Sequence, residues 1–210
     1  EIVDGELNYN IKKNSQQIIN PSSLGLILQD NLNLGNEVQL KNFEVDEFNE
    51  TWTPLYGEFS KIKNHYKSLT LELNKGDVDF KITFRVYNDG VAFKYYVPKQ
   101  KSIKNYNIID EFTEFNLSSD DTAWWIPAFS YRRYEFLYAE SKIDKISKKY
   151  FSENIEDISY DSLGIDAAHT PLTIKKNNGY LISIHEANLI DYSSMTLAPR
   201  GNGSLEVELY

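Results

Sequence analysis

The chain predicts an all-β fold, a two-sheet antiparallel sandwich. Apolar residues recur at every second position rather than at helical spacing. Aromatics reach 14%, mostly Tyr and Phe, and these side chains suit pleated surfaces. Gly, Asn and Asp interrupt the alternating runs often enough to make many short strands.

The clearest pair of strands lies at 78–97. Val78, Phe80, Ile82, Phe84 and Val86 share one face, with Asp79, Lys81, Thr83 and Arg85 opposite. After Asn88-Asp89-Gly90 the parity switches to Val91, Phe93, Tyr95 and Val97. A two-residue turn at Asp89-Gly90 predicts that Val86 faces Phe93 and Phe84 faces Tyr95, placing both apolar sets together. Further strands are expected at 7–11, 16–19, 24–28, 68–73, 112–117, 122–126, 134–138, 172–175, 180–185 and 195–198. Asn177-Asn178-Gly179 marks a turn before Tyr180. In 141–168, Ile143, Ile146 and Tyr150 have helical spacing, but Ser, Asn and Asp interrupt it. That segment reads as a long irregular excursion.

A length of 210 residues suits one large domain, so 1–210 is expected to be a single β-sandwich. The net charge of -9, without basic clusters, argues against nucleic acid or an anionic membrane as partner. The absence of Cys excludes disulfides and thiolate metal sites. No apolar run approaches a membrane span. The chain opens at Glu1 without a Met, and alternation at Leu205, Val207 and Leu209 stops at Tyr210. A removed leader and a truncated domain are therefore expected.

Candidate chemistry is sparse. The stretch 50–66, ETWTPLYGEFSKIKNHY, concentrates aromatics, Pro and Gly in an order that strand alternation does not require. Trp52, Trp124 and Trp125 could stack on sugar rings, though large aromatics more often pack in cores. Trp124 and Trp125 are adjacent on an expected strand, so they must point to opposite faces. His65, His169 and His185 show no ligand-pair spacing. Asp120-Asp121 and Glu156-Asp157 are sequence neighbours, whereas glycosidase acid and base must face each other across a cleft. Gly201-Asn202-Gly203 lacks the third glycine of a dinucleotide loop. Glu186 is the carboxylate that breaks pattern, because it shares strand parity with Tyr180, Ile182 and Ile184. If that face is buried, the charge needs a cation or a hydrogen-bond network. If the strand ends at His185, Glu186 meets water, and spacing alone favours this reading.

ETWTPLYGEFSKIKNHY, FRVYNDGVAFKYYVP, TAWWIPA and IHEANLIDYSSMTL, with PSSLGLIL and TPLTI, resemble the N-terminal domain of glycoside hydrolase family 97. That family holds α-glucosidases and α-galactosidases of bacterial glycan-utilisation systems. The matching blocks run in order from about Pro21 to Leu197. The resemblance implies a galactose-mutarotase-like β-super-sandwich, followed by a catalytic (β/α)-barrel that carries the bond-cleaving carboxylates. It implies calcium at the domain junction, with Glu186, from the HEA block, as the ligand supplied by this domain. It also implies an α-linked oligosaccharide substrate, a periplasmic or secreted setting, and no catalytic residue in this chain. Trp52, Trp124 and Trp125 would then be candidates for a substrate-pocket wall. The alternative is a stand-alone carbohydrate-binding or interaction module using the same tryptophans. A complete sugar epimerase is disfavoured, since no His-plus-carboxylate set stands out.

Overall fold

The computed structural model describes residues 1–102, 105–128, 135–156 and 164–209. It shows an all-β sandwich fold of many antiparallel strands. The chain divides into two compact units, residues 1–36 with 107–210 and residues 37–106.

The first unit opens with β1 (Ile2–Val3), β2 (Glu6–Lys13), β3 (Gln16–Ser23), β4 (Leu26–Leu28) and β5 (Leu32–Asn33). The second unit is β6 (Gln39–Trp52), β7 (Ile62–Lys75), β8 (Val78–Val86) and β9 (Val91–Tyr96). The chain then returns to the first unit through β10 (Ile108–Glu111), β11 (Glu114–Asn116), β12 (Thr122–Trp125) and β13 (Ala139–Lys142). Helix α1 (Lys148–Asn154) follows, then β14 (Ala168–His169), β15 (Leu172–Lys175), β16 (Leu181–Ile184), β17 (Met195–Gly201) and β18 (Ser204–Leu209).

In the first unit the sheets run β1-β2-β3, β10-β4-β5, β11-β18-β17-β14 and β13-β12-β15-β16. Polar side chains tie β3 to β11: Ser22 Oγ accepts from Asn116 N at 2.9 Å, and Glu114 Oε2 accepts from Ser23 N at 3.0 Å. Beneath them Tyr9 meets Phe115 edge-on, its hydroxyl donating to Glu114 O at 2.6 Å. Gly25 and Gly35 are dictated by one ring: a Cβ at either would lie 2.0 or 2.3 Å from Phe112 Cζ. The PSSLGLIL block therefore keeps glycine because a phenyl ring takes the space of its side chain. Deeper in the unit a buried ion pair joins Lys176 Nζ to Asp121 Oδ2 at 2.8 Å. Ser118 N and Asn177 N also donate to the Asp121 carboxylate, so the charge is well satisfied.

The second unit is one sheet, β6-β7-β8-β9. Directly opposed residues share a face, and Val45, Leu69, Phe84 and Phe93 line up across four strands. Phe43, Leu71, Ile82 and Tyr95 form the next row. The hairpin expected at 78–97 exists, but its register differs. Val86 faces Val91 and Phe84 faces Phe93, because the turn spans four residues, closed by Tyr87 N donating to Gly90 O at 2.8 Å. A slip of two residues preserves the face of every side chain, which is why the apolar pattern alone did not reveal it.

Other expectations need correction. Residue 134 lies outside the described residues, and 135–138 form no strand, since pairing with β12 begins only at Ala139 opposite Trp125. The excursion at 141–168 is partly regular. Ser147 caps α1 by accepting from Tyr150 N at 3.1 Å, and Phe151 is buried against Trp125 and Phe136. Residues 157–163 of that excursion lie outside the described residues. Strand β6 was not read from the sequence, because it is exposed along its whole length and carries no clean alternation.

Candidate functional site

Glu186 lies two residues beyond β16, where the chain changes sheets. Strands β15 and β16 pair with Leu172 opposite Ile184, so continuing that register sets Thr170 opposite Glu186. Strands β14 and β17 pair with His169 opposite Thr196, which sets Thr170 opposite Met195 as well. Thr170 is thus the crossover between two sheets, at a cis peptide bond to Pro171. Its hydroxyl donates to Glu186 Oε2 at 2.6 Å and lies 3.1 Å from Met195 O. Glu186 Oε1 accepts from Met195 N at 2.5 Å.

The carboxylate is half-buried, and burial alone would push its pKa up. Hydrogen bonds from Thr170 and Met195, with His169 nearby, outweigh that and hold it below the usual glutamate range. Glu186 is therefore ionised and fixed in place, neither free in water nor neutral. Each oxygen accepts one strong bond and keeps lone-pair capacity for another donor or a cation.

The loop from 187 to 194 is closed at its base by the Glu186–Met195 bond and pinned again at Tyr192. The Tyr192 hydroxyl donates to Glu111 Oε2 at 2.6 Å, while Thr113 Oγ1 donates to Glu111 Oε1 at 2.7 Å. Burial raises the Glu111 pKa, and burial with the adjoining Glu111 carboxyl pushes the Tyr192 phenol up, so Tyr192 stays a donor. Leu189 and Ile190 point outward from this pinned loop, 48% and 68% exposed.

Calcium takes about six to eight oxygens. Among the described residues no group of three or more His, Cys, Asp or Glu gathers. Glu186 is thus a single oriented, ionised carboxylate and not a metal site in itself.

The tryptophans divide. Trp125 is 1% exposed and donates its indole N–H to Ser141 Oγ at 2.9 Å, so it packs in the core. Trp124, on the opposite face of β12, is half-buried and donates to Glu140 Oε2 at 3.0 Å. Trp52 belongs to the other unit, at the end of β6 opposite Ile62, and is 46% exposed. The histidines form no cluster: His65 pairs with Glu47 at 2.7 Å, while Nδ1 of His169 and of His185 lies within hydrogen-bonding distance of a neighbouring backbone carbonyl. Sequence reasoning singled out Glu186 but missed Thr170, Glu111 and Tyr192. The only signal was that Thr170 and Tyr192 fall inside the TPLTI and HEANLIDYSSM blocks.

A family model described as glycosyl-hydrolase 97 N-terminal matches residues 1–209. A retaining α-galactosidase of Bacteroides thetaiotaomicron is 23% identical over 207 residues, 93% of this chain and 28% of its own length. A glycoside hydrolase family 97 enzyme from Pseudoalteromonas sp. strain K8, solved with acarbose, superposes with a TM-score of 0.84 at 29% identity. The match covers 99% of this chain and 29% of that one. A variant of a family 97 enzyme from the same strain, solved with panose, gives 0.83 at 30% identity, covering 98% of this chain and 29% of that one. The chain thus spans less than a third of the length of these relatives.

Proposed function

This chain belongs to the glycosyl-hydrolase 97 N-terminal family, and from that premise we propose that it scaffolds a catalytic barrel and lends it one calcium ligand. It is the N-terminal domain of a glycoside hydrolase of family 97, in which the catalytic domain is the other part. The observation carrying the proposal is the state of Glu186. A half-buried carboxylate kept ionised by two donors, at the end of a sheet, is prepared for a cation that no cluster among the described residues encloses.

Glu186 would hold the ion from this side, with the remaining oxygens coming from the barrel. Bound there, calcium would supply a fixed divalent charge that orients substrate and lowers neighbouring carboxylate pKa values. Thr170 and Met195 N serve by aiming the carboxylate, and Tyr192 by holding the loop that follows it. No residue of this chain is proposed to act as acid, base or nucleophile. Trp52 in one unit and Trp124 in the other each retain some indole surface, as a substrate-pocket wall requires, while burial leaves Trp125 to the core.

We propose an α-glucosidase type of parent activity on α-linked oligosaccharides in a periplasmic or secreted setting. Support comes from the two Pseudoalteromonas structures, at 29% and 30% identity, which were solved with acarbose and with panose. The α-galactosidase relative lies at 23%. The test is turnover of chromogenic α-glucosides and α-galactosides by residues 1–210 and by the longer polypeptide. The short chain should be inert and the long one should favour the glucoside. Hydrolysis by the short chain overturns the scaffold role, and preference for the galactoside overturns the substrate assignment.

A further inference from the structure

Within the sheet of residues 37–106, β6 and β7 run further than their neighbours. Pairing between them extends from Gln39 opposite Asn74 to Trp52 opposite Ile62. Strand β8 joins β7 only from Lys67 onward, where Lys67 faces Val86. Residues 48–52 and 62–66 therefore form a two-stranded ribbon with no third strand beside it among the described residues. Such a ribbon is marginal in water on its own.

The tip of this ribbon is apolar where a free loop would be polar. Leu55 is 99% exposed, Tyr56 90%, Phe59 65% and Trp52 46%. No hydrogen bond ties residues 55–60 to the rest of the described chain, and nothing lies within 4 Å of a Cβ placed on Gly57. Large apolar groups gathered at one point mark a contact surface rather than scattered exposure. The charges around them, Glu50, Glu58, Lys61 and Lys63, cancel, which does not suit an anionic membrane or a polyanion.

We propose that this ribbon is a docking arm whose tip, Leu55, Tyr56 and Phe59, seats in an apolar cleft of the catalytic domain of the same polypeptide. The assignment rests on the functional reading above. The occupant is argued from length: the solved relatives hold 99% and 98% of this chain within 29% of theirs, so most of their mass is available to cover the arm. The arm accounts for the 50–66 stretch, since Pro54 and Gly57 shape the bend and the aromatics supply the area.

Hydrogen exchange on the full-length enzyme tests this. Amides at 55–60 have no internal partner, so slow exchange there requires an outside cover. The expected result is protection of at least about 100-fold over the unstructured rate, independent of protein concentration. Leu55→Ser with Tyr56→Ser should abolish it and speed exchange on a patch of the catalytic domain. Exchange near the unstructured rate in an active enzyme overturns the arm while leaving the functional reading intact. Protection that disappears on dilution, with a matching change of mass by light scattering, assigns the tip to a second copy and overturns it too. An absent hydrolytic domain would instead overturn the functional reading.

Discussion

At the scale of residues, the contrast between two glutamates organises the site. Glu186 is partly open and held low by donors, whereas Glu111 is buried and pushed up by the loss of water. A carboxyl whose folded pKa is raised contributes its stability fully below the ordinary glutamate range and loses it as pH rises through the folded value. Glu111→Gln removes that charge while keeping the shape. Its melting temperature minus that of the wild type should therefore grow as pH rises from about 4 to 7. A difference that stays flat, or narrows with rising pH, contradicts the burial argument. Glu186 stood out in the sequence as a carboxylate on an apolar parity, yet spacing alone favoured a water-facing side chain, and the family resemblance marked it as a ligand. Its surroundings were not legible, because Tyr192 meets Glu111 across 81 positions and Thr170 meets Glu186 across 16. Such contacts follow from strand register, which local spacing does not encode.

At the scale of elements, alternation predicted strands well wherever one face is covered. β8, β15 and β18 all carry buried residues at every second position. It failed for β6, whose residues are exposed on both faces, and for the 87–90 turn, where a shift by two leaves the pattern unchanged. Helix α1 was not legible in the spacing: of Ile143, Ile146 and Tyr150 only Tyr150 lies within it, and Ser147, one of the interruptions, is the cap that starts it. The turn joining β15 to β16 depends on the Asp121–Lys176 pair, both partners being almost wholly buried. Asp121→Ala strands a buried ammonium and two backbone donors, and should cost about 3 to 5 kcal/mol in urea denaturation. A loss below about 1 kcal/mol would show that the pair behaves as a surface contact.

At the scale of the whole molecule, function was legible through order rather than through any single residue. Several blocks in the right sequence identified a family that composition and charge could only leave open, and the match extends over residues 1–209. Structure then added reasons for individual blocks. Gly25 yields to the Phe112 ring, Thr170 sits at a sheet crossover, and the 50–66 stretch builds a ribbon with an apolar tip. Glu186 and the ribbon tip are the two features proposed to meet the catalytic part of a longer polypeptide. The central claim is that Glu186 completes a cation cage shared with that part. Calcium titration calorimetry on the full-length enzyme, wild type against Glu186→Gln, tests it most directly. The account predicts affinity weakened by at least about tenfold with the fold retained; equal affinity in the two proteins would contradict it.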